Sequence, residues 1–199
     1  MMKKILQLLQ LTKKIIYAGY LCCLGYLAMG SVFFLSGCEK EAPSSVITID
    51  DYVLRVYTPV PFHQNSNTQE LDPVIQKYLL AMYTIEEDKT FDDNILVFKM
   101  PNTYQDINDF VTKNTEHITE PRHSENDNKT TTLDDCEKDI PLIVKGSEYE
   151  HETTSTYFVQ GFFLDGDDAY LISAGTEDKE RYDQLYDDMK HLACKNIAE

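Results

Sequence analysis

The first 38 residues constrain this chain most, because they are organised differently from everything after them. Four lysines precede an apolar run over residues 15–34, and the small residues Ser36 and Gly37 stand directly before Cys38. A basic head, an apolar stretch and small residues before a cleavage point are the pattern of a secretory signal. We therefore expect residues 1–37 to be removed. The 162 residues that remain are enough for one domain with a substantial core.

The tetrapeptide Leu-Ser-Gly-Cys at residues 35–38 indicates, more narrowly, a bacterial lipoprotein signal. In such a signal Cys38 receives the lipid and becomes the first mature residue. The alternative is an uncleaved helical anchor, since an apolar run of about 20 residues also spans a bilayer. Both interpretations place residues 38–199 outside the cytoplasm. Glu39, rather than Asp, follows the cysteine and favours the outer membrane over the inner one, so we predict a membrane-anchored protein facing the periplasm.

The predicted mature chain is strongly acidic. All 34 Asp and Glu residues follow residue 37, but only 14 of the 18 Lys and Arg residues do, so its net charge is −20. A surface of that sign repels anionic lipid headgroups and nucleic acid, and we exclude nucleic acid as a partner. It indicates either a heavily hydrated surface or a patch that meets a basic protein. Five Asp-Asp pairs recur without the ligand spacing of a calcium loop, and we predict neither a metal site nor a cofactor.

The cysteines fit an oxidising compartment. After Cys38 only Cys136 and Cys194 remain, and an even pair outside the cytoplasm is most simply a disulfide. The alternative is two free buried thiols. Their spacing matches neither a redox-active motif nor a zinc site, so the expected role is structural.

The pattern along the mature chain predicts a tether over residues 38–45 and a single domain over residues 46–199. Val46–Ile49 and Tyr52–Tyr57 are β-rich runs that flank Asp50-Asp51, which predicts a hairpin. Asp72 and Pro73 are typical of a helix start. The apolar residues after them recur at helical spacing: Val74, Ile75, Tyr78, Leu79, Met82 and Tyr83.

A strand is predicted over Asn94–Met100, and then a second helix with Thr103 as its cap. Residues 119–139 are polar and irregular, and we expect a long loop held in place by Cys136. β character resumes at residue 142, and Asp165-Gly166 predicts a further hairpin. A last amphipathic helix starts near Thr176. This order of hairpin, helix, strand, helix, β-meander and C-terminal helix predicts an α+β fold, a mostly antiparallel sheet covered by helices.

Several segments in this order resemble a known family: Tyr52–Pro59, Ile95–Met100, Tyr104–Phe110 and Gly161–Gly175. Together with the lipoprotein signal they resemble the PsbP-like fold, including the small envelope lipoproteins of the DcrB type. The resemblance implies an α+β domain over about residues 46–195 and no catalytic residues. Members of that group are mostly binding or assembly factors, so it also implies a noncatalytic role.

Motifs of known chemistry are missing from the sequence. The five histidines show no His-Glu-x-x-His pattern, and there is no nucleophile elbow, phosphate loop or dinucleotide fingerprint. His117 and His123 flank an acidic stretch, for which we favour an exposed turn over a metal site. Tyr149 and Tyr157 suit either the core or an outer sheet face used in recognition, and the core is favoured.

We therefore expect a lipid-anchored, noncatalytic envelope protein that acts by binding another protein. One specific version is an immunity lipoprotein that neutralises a basic toxin in the periplasm, with electrostatic steering to speed capture. An alternative of another class is a periplasmic hydrolase that uses a carboxylate pair, which would need one raised pKa in a cleft.

Overall fold

The computed structural model describes residues 42–67, 71–85, 93–115, 123–150 and 154–195, all within one compact unit that begins at Ala42. Cys38 and the predicted signal segment before it lie outside the described residues. Among the described helices, none is both long enough and apolar enough to cross a bilayer.

Ten strands and three helices make up the described fold. The strands are β1 Ser45–Ile49, β2 Tyr52–Val56, β3 His63–Gln64, β4 Leu79–Thr84, β5 Asp93–Pro101, β6 His123–Thr132, β7 Pro141–Glu150, β8 Ser155–Asp165, β9 Asp168–Thr176 and β10 Ala193–Cys194. The helices are α1 Pro73–Tyr78, α2 Ile107–Thr115 and α3 Lys179–Met189.

The strands form two antiparallel sheets. The large sheet has seven strands in the order β3-β4-β5-β9-β8-β7-β6, and the small sheet has three in the order β1-β2-β10. Every pairing between these strands is antiparallel. The antiparallel sheets, with helices between their strands in the chain, confirm the predicted α+β class.

One face of the large sheet carries the main core. The small sheet and α3 cover this first face, because strand alternation turns every second side chain of β5, β7, β8 and β9 towards them. Members of this core with no more than 1% exposure include Ile47, Leu54, Val97, Val144, Ile172 and Leu185. The core therefore lies between the hairpin of β1 and β2, helix α3 and the large sheet.

The opposite, second face of the large sheet carries a smaller cluster. Phe110 of α2 is fully buried and packs edge-on against Phe162 of β8, with ring centroids 5.5 Å apart. Ala169 is the third buried member of this cluster, and Met100 and Leu171 pack against the cluster. Helix α2 is held on the second face by this cluster.

The helix predicted across residues 74–83 is wrong in its second half. Helix α1 ends at Tyr78, and the chain continues directly into β4. Met82 pairs with Leu96 and Tyr83 pairs with Ile95 on β5, and Met82 is almost fully buried. Pairing along a buried sheet strand outweighs the helical spacing of the apolar residues.

The long irregular loop predicted over residues 119–139 is also wrong in part, because β6 occupies ten of those residues. It pairs with β7 from His123 opposite Tyr149 to Thr132 opposite Pro141, with a register shift between Glu125 and Asp127. Lys129 and Thr130 are exposed, and β6 lies at the edge of the sheet. An edge strand with solvated side chains needs no alternating apolar pattern. The sequence therefore gives no signal that predicts β6.

The predicted starts of the two longer helices need a smaller correction. Helix α2 begins at Ile107, and its cap is Asp106 rather than Thr103, since the Asp106 carboxylate accepts the N–H groups of Asn108 and Asp109 at 2.8 and 2.9 Å. Asp178 caps α3 in the same way. The Asp165-Gly166 hairpin is confirmed, with Gly166 at a φ of +58°.

Gly146 on β7 makes room for Tyr182 of α3. A Cβ atom at Gly146 would lie 2.1 Å from Tyr182 Oη, and that hydroxyl donates to Asp127 at 2.9 Å. The Tyr182 ring is 1% exposed and has Tyr157 beside it at 5.3 Å, so it has little room to move. A larger residue at position 146 must therefore displace a packed ring.

We expect Gly146→Ala to lower the free energy of unfolding by about 1–3 kcal/mol, the usual cost of overpacking. Urea denaturation measures it. In a Tyr182→Phe background the nearest clashing atom is gone, so the same substitution should cost less. An equal cost in both backgrounds would show that Tyr182 is not the obstacle.

Candidate binding groove

An apolar groove lies on the second face of the large sheet, between α1 and α2. It encloses a cavity of about 430 Å³. Its floor comes from β5 and β9, and its walls come from α1, α2 and the loop that leads into α2. The lining residues are Val74, Ile75, Tyr78, Phe98, Met100, Pro101, Thr103, Tyr104, Asn114 and Leu171.

Helix α1 supplies one wall and leaves its apolar side chains open to solvent. Asp72 caps it by accepting the Val74 N–H at 2.7 Å, and Pro73 occupies the first turn. None of its residues is buried: Val74 is 71% exposed and Ile75 39%. A surface helix normally turns such residues to the core. Here they flank the groove instead.

The opposite wall is held in place by Tyr104 and Asn114. The Tyr104 ring lies 4.5 Å from the ring of Phe110, which anchors α2 to the sheet. The Asn114 side-chain amide donates to the Phe110 carbonyl at 2.8 Å and to Tyr104 Oη at 3.4 Å. The polar atoms of this wall are thus engaged within the protein.

The chemistry of the groove is that of an apolar binding site. Its described lining contains no carboxylate, histidine, cysteine or lysine. At the rim, Lys113 lies over the Tyr104 ring at 5.7 Å and pairs with Asp109 at 2.9 Å. An open apolar cavity with few polar groups accepts apolar side chains or another apolar group of similar size.

A second polar assembly, the turn cluster, joins the β1–β2 turn to the β8–β9 turn on the first face. Lys99 Nζ lies 2.8 Å from Asp50 and 3.0 Å from Asp168, and Tyr170 Oη donates to Asp50 at 3.0 Å. The hydrogen bond from Lys99 lowers the pKa of Asp50, and burial raises the pKa of Tyr170 to about 12. Asp50 is therefore ionised and Tyr170 neutral near neutral pH.

The other half of the turn cluster centres on Asp165. Its carboxylate accepts from the Tyr52 hydroxyl and pairs with Lys138, and the Lys138 hydrogen bond lowers its pKa. The Tyr52 ring packs edge-on against Phe163 at 4.7 Å. The turn cluster therefore pairs each of its carboxylates with a lysine and ties the small sheet to the large one.

Asp188 on α3 is a carboxylate whose pKa is raised. It is 5% exposed and accepts the backbone N–H of Tyr57 and the side-chain amide of Gln184, both at 2.9 Å. Burial raises its pKa, and the Tyr57 hydrogen bond lowers it to a smaller extent. These contacts join α3 to the end of β2.

The raised pKa of Asp188 predicts how the free energy of unfolding depends on pH. Because the folded-state pKa is raised, its contribution to stability is fully present below the unfolded pKa, about 3.9, and is lost as pH rises through the folded pKa. Asn keeps a hydrogen-bond acceptor and carries no charge. We therefore expect Asp188→Asn to gain stability relative to the parent protein between about pH 4 and pH 7 in urea titrations.

The matched variant Asp188→Ala leaves the Tyr57 N–H unpaired. Asp188→Ala should lower the free energy of unfolding by about 1–3 kcal/mol at both ends of this pH range. Parallel pH profiles for the parent and Asp188→Asn would show that this carboxyl does not titrate as its burial requires.

The structure brings together one pair of the residues predicted from the sequence. The sulfur atoms of Cys136 and Cys194 lie 2.04 Å apart, the bonding distance of a disulfide. Cys38 lies outside the described residues, as does His117. His191 Nδ1 lies 3.0 Å from Asp134, and the described residues hold no cluster of three or more His, Cys, Asp or Glu side chains suited to a metal ion.

Tyr149 and Tyr157 do not share a sheet face. Tyr157 pairs with Glu148, and Tyr149 pairs with Thr156, so the two tyrosines point to opposite sides. Tyr157 packs against the main core beside Tyr182. The alternative in which both tyrosines lie on one outer recognition face is therefore wrong.

Comparisons with known proteins give matches to part of the chain and to the fold. The family model for the C-terminal region of the proteasome activator PA28 matches residues 67–128, a segment that contains α1, β4, β5 and α2. No curated protein matches the sequence significantly.

Two solved structures are similar to this chain. The crystal structure of the Ran-binding protein Mog1p from Saccharomyces cerevisiae has 10% identity and a TM-score of 0.49, with 73% of this chain and 90% of that chain covered. A protein of unknown function from Pseudomonas aeruginosa, PA94, described as a putative regulator, has 7% identity and a TM-score of 0.42, with 76% and 97% covered.

Proposed function

We propose that this chain is a lipid-anchored, noncatalytic protein of the bacterial envelope that acts by binding another protein, in the manner of small DcrB-type lipoproteins. The Leu-Ser-Gly-Cys motif supports lipid attachment at Cys38 and a position facing the periplasm, with the outer membrane favoured. The α+β fold is compatible with the PsbP-like resemblance. The observation that carries the binding role is the groove between α1 and α2.

The groove suits a protein partner because it couples a cavity to exposed apolar residues at its edge. Val74 and Ile75 extend the apolar surface beyond the cavity, so a partner can insert one side chain and cover its neighbours. Interfaces of this kind concentrate their binding energy in a few anchors that fill a pocket.

The partner we propose is a basic protein segment that presents apolar side chains to the groove. The predicted mature chain has a net charge of −20, which attracts a cationic partner at long range. The groove lining itself carries no charged residue, so the contact inside it is apolar. Charge therefore assists the approach, and the cavity selects the segment that binds.

A matched pair of substitutions tests the groove. Ile75 and Val60 are both 39% exposed, but only Ile75 lines the groove. We expect Ile75→Glu to reduce the partner recovered with the affinity-tagged protein from detergent-extracted membranes about tenfold, the effect of losing one anchor of about 1.4 kcal/mol. Val60→Glu should leave recovery unchanged. Equal recovery with both variants would rule out the groove as the binding site.

The acidity of the mature chain also supports a narrower version, an immunity lipoprotein that neutralises a basic periplasmic toxin. Its partner would be encoded beside it and would be lethal to cells that lack this chain. Survival of such cells on expression of the neighbouring gene would remove this version and leave the general proposal in place.

A further inference from the structure

The outer face of the β1–β2 hairpin carries a second exposed surface, partly apolar, on the opposite side of the large sheet from the groove. It consists of Val46, Arg55 and Tyr57, which we call the hairpin strip. Val46 is 57% exposed and Tyr57 38%, and Arg55 is exposed as well. Isolated exposed apolar residues are common on protein surfaces. The hairpin strip is therefore informative only if its three residues are neighbours.

The strand register makes these residues neighbours. Val46 pairs directly with Arg55, while Ile47 and Leu54, the pair next to them, are buried in the core. Tyr57 lies two residues beyond Arg55, and alternation turns it to the same side. The Tyr57 backbone is held by the Asp188 carboxylate at 2.9 Å, which fixes the end of β2. The hairpin strip is thus a continuous feature of β1, β2 and the residue that follows β2.

The hairpin strip also stands where the chain enters the domain. Ala42, the first described residue, follows Cys38 by only four positions, so a fully extended chain spans at most about 14 Å between them. Ser45, expected in the tether, is the first residue of β1, and its hydroxyl accepts the Phe62 N–H at 2.7 Å. The tether is therefore shorter than the sequence suggested, and it leads directly to Val46.

Given the lipid anchor proposed above, on which this inference rests, we infer that the hairpin strip lies against the bilayer surface beside Cys38. A tyrosine, an arginine and an aliphatic side chain are suited to the boundary between headgroups and acyl chains. Arg55 supplies positive charge at this position on an otherwise acidic protein. Contact of this kind adds a second, weaker attachment to the covalent lipid.

This placement orients the groove. The small sheet covers the first face of the large sheet, and the groove lies on the second face. The hairpin strip is on the outer side of the small sheet, so the large sheet separates it from the groove. With the hairpin strip against the bilayer, the groove opens away from that membrane, towards partners in the periplasm.

Photo-crosslinking in native membranes tests this orientation. A diazirine amino acid is placed at position 46 or at position 74 of the full chain, which is then irradiated and analysed for lipid adducts by mass spectrometry. Position 74 is more exposed than position 46, at 71% against 57%, so exposure alone favours adducts at position 74. We expect lipid adducts from the probe at position 46 and none from the probe at position 74.

The lipid on Cys38 is measured in the same samples, so that the two proposals fail in different ways. Lipidated protein with no lipid adduct at position 46, or with equal adducts at both positions, overturns the orientation alone. Protein without lipid on Cys38 overturns the anchor and the orientation with it. Circular dichroism of each variant confirms that the exposed substitutions leave the fold intact.

Discussion

Replacing Cys136 and Cys194 together with serine is expected to lower the free energy of unfolding by about 4 kcal/mol, because the bridge closes a loop of 58 residues in the unfolded chain. The bridge also secures the C-terminal end of the domain. The Asp134 N–H donates to the Leu192 carbonyl and the Asp134 carbonyl accepts from the Cys194 N–H, both at 2.9 Å, and β10 pairs with β2. Urea unfolding of the oxidised protein and the double variant measures the difference.

Reduction provides the control for this prediction. The parent protein in excess reductant should unfold at the same urea concentration as the double variant, and reductant should not affect the variant. If thiol alkylation of the native protein labels both cysteines, the bridge does not form and the predicted loss is absent.

Replacing Phe110 with alanine is expected to cost about 3–5 kcal/mol, the usual penalty for removing a fully buried phenylalanine. Phe110 is 0% exposed and joins α2 to the second face through Phe162. It also supports the groove, since its ring packs against Tyr104 and its carbonyl accepts from Asn114. Loss of stability should therefore accompany loss of partner binding.

Phe110→Leu separates these two effects, because it keeps most of the apolar volume while removing the aromatic contact with Tyr104. It should cost markedly less stability than Phe110→Ala. If Phe110→Ala unfolds at nearly the same urea concentration as the parent, α2 is not held by this cluster, and the groove lacks the fixed wall described above.

The elements with strong local signals could be predicted from the sequence. The β1–β2 hairpin, the strand after Asp93 and the Asp165-Gly166 turn each combine β-rich runs with residues suited to turns. Helix α3 was also predicted, but it starts at Lys179, with Asp178 as its cap, rather than near Thr176. In each case the local preference and the tertiary pairing agree.

The remaining elements depend on distant partners that local patterns do not reveal. Leu79–Thr84 has helical spacing but becomes β4 because β5 offers it a paired, buried position. β6 has no alternating pattern because its exposed side chains at the sheet edge are solvated. Pairing with the next strand along the chain decided both.

The groove could not be predicted for the same reason. Val74, Ile75 and Tyr78 look like the core face of a longer helix, and only the early end of α1 at Tyr78 leaves them at the surface. The sequence does not mark that end, because the apolar residues of β4 continue the helical spacing of α1. A helix that short buries little by itself.

Intact-mass and N-terminal peptide analysis of the native protein, extracted with detergent from membranes, tests the central claim most directly. The claim is that this chain is a lipoprotein whose mature part begins at Cys38. The account predicts a mass that lacks residues 1–37 and includes lipid on Cys38. A protein that retains residues 1–37, or that begins at Cys38 without lipid, would contradict it.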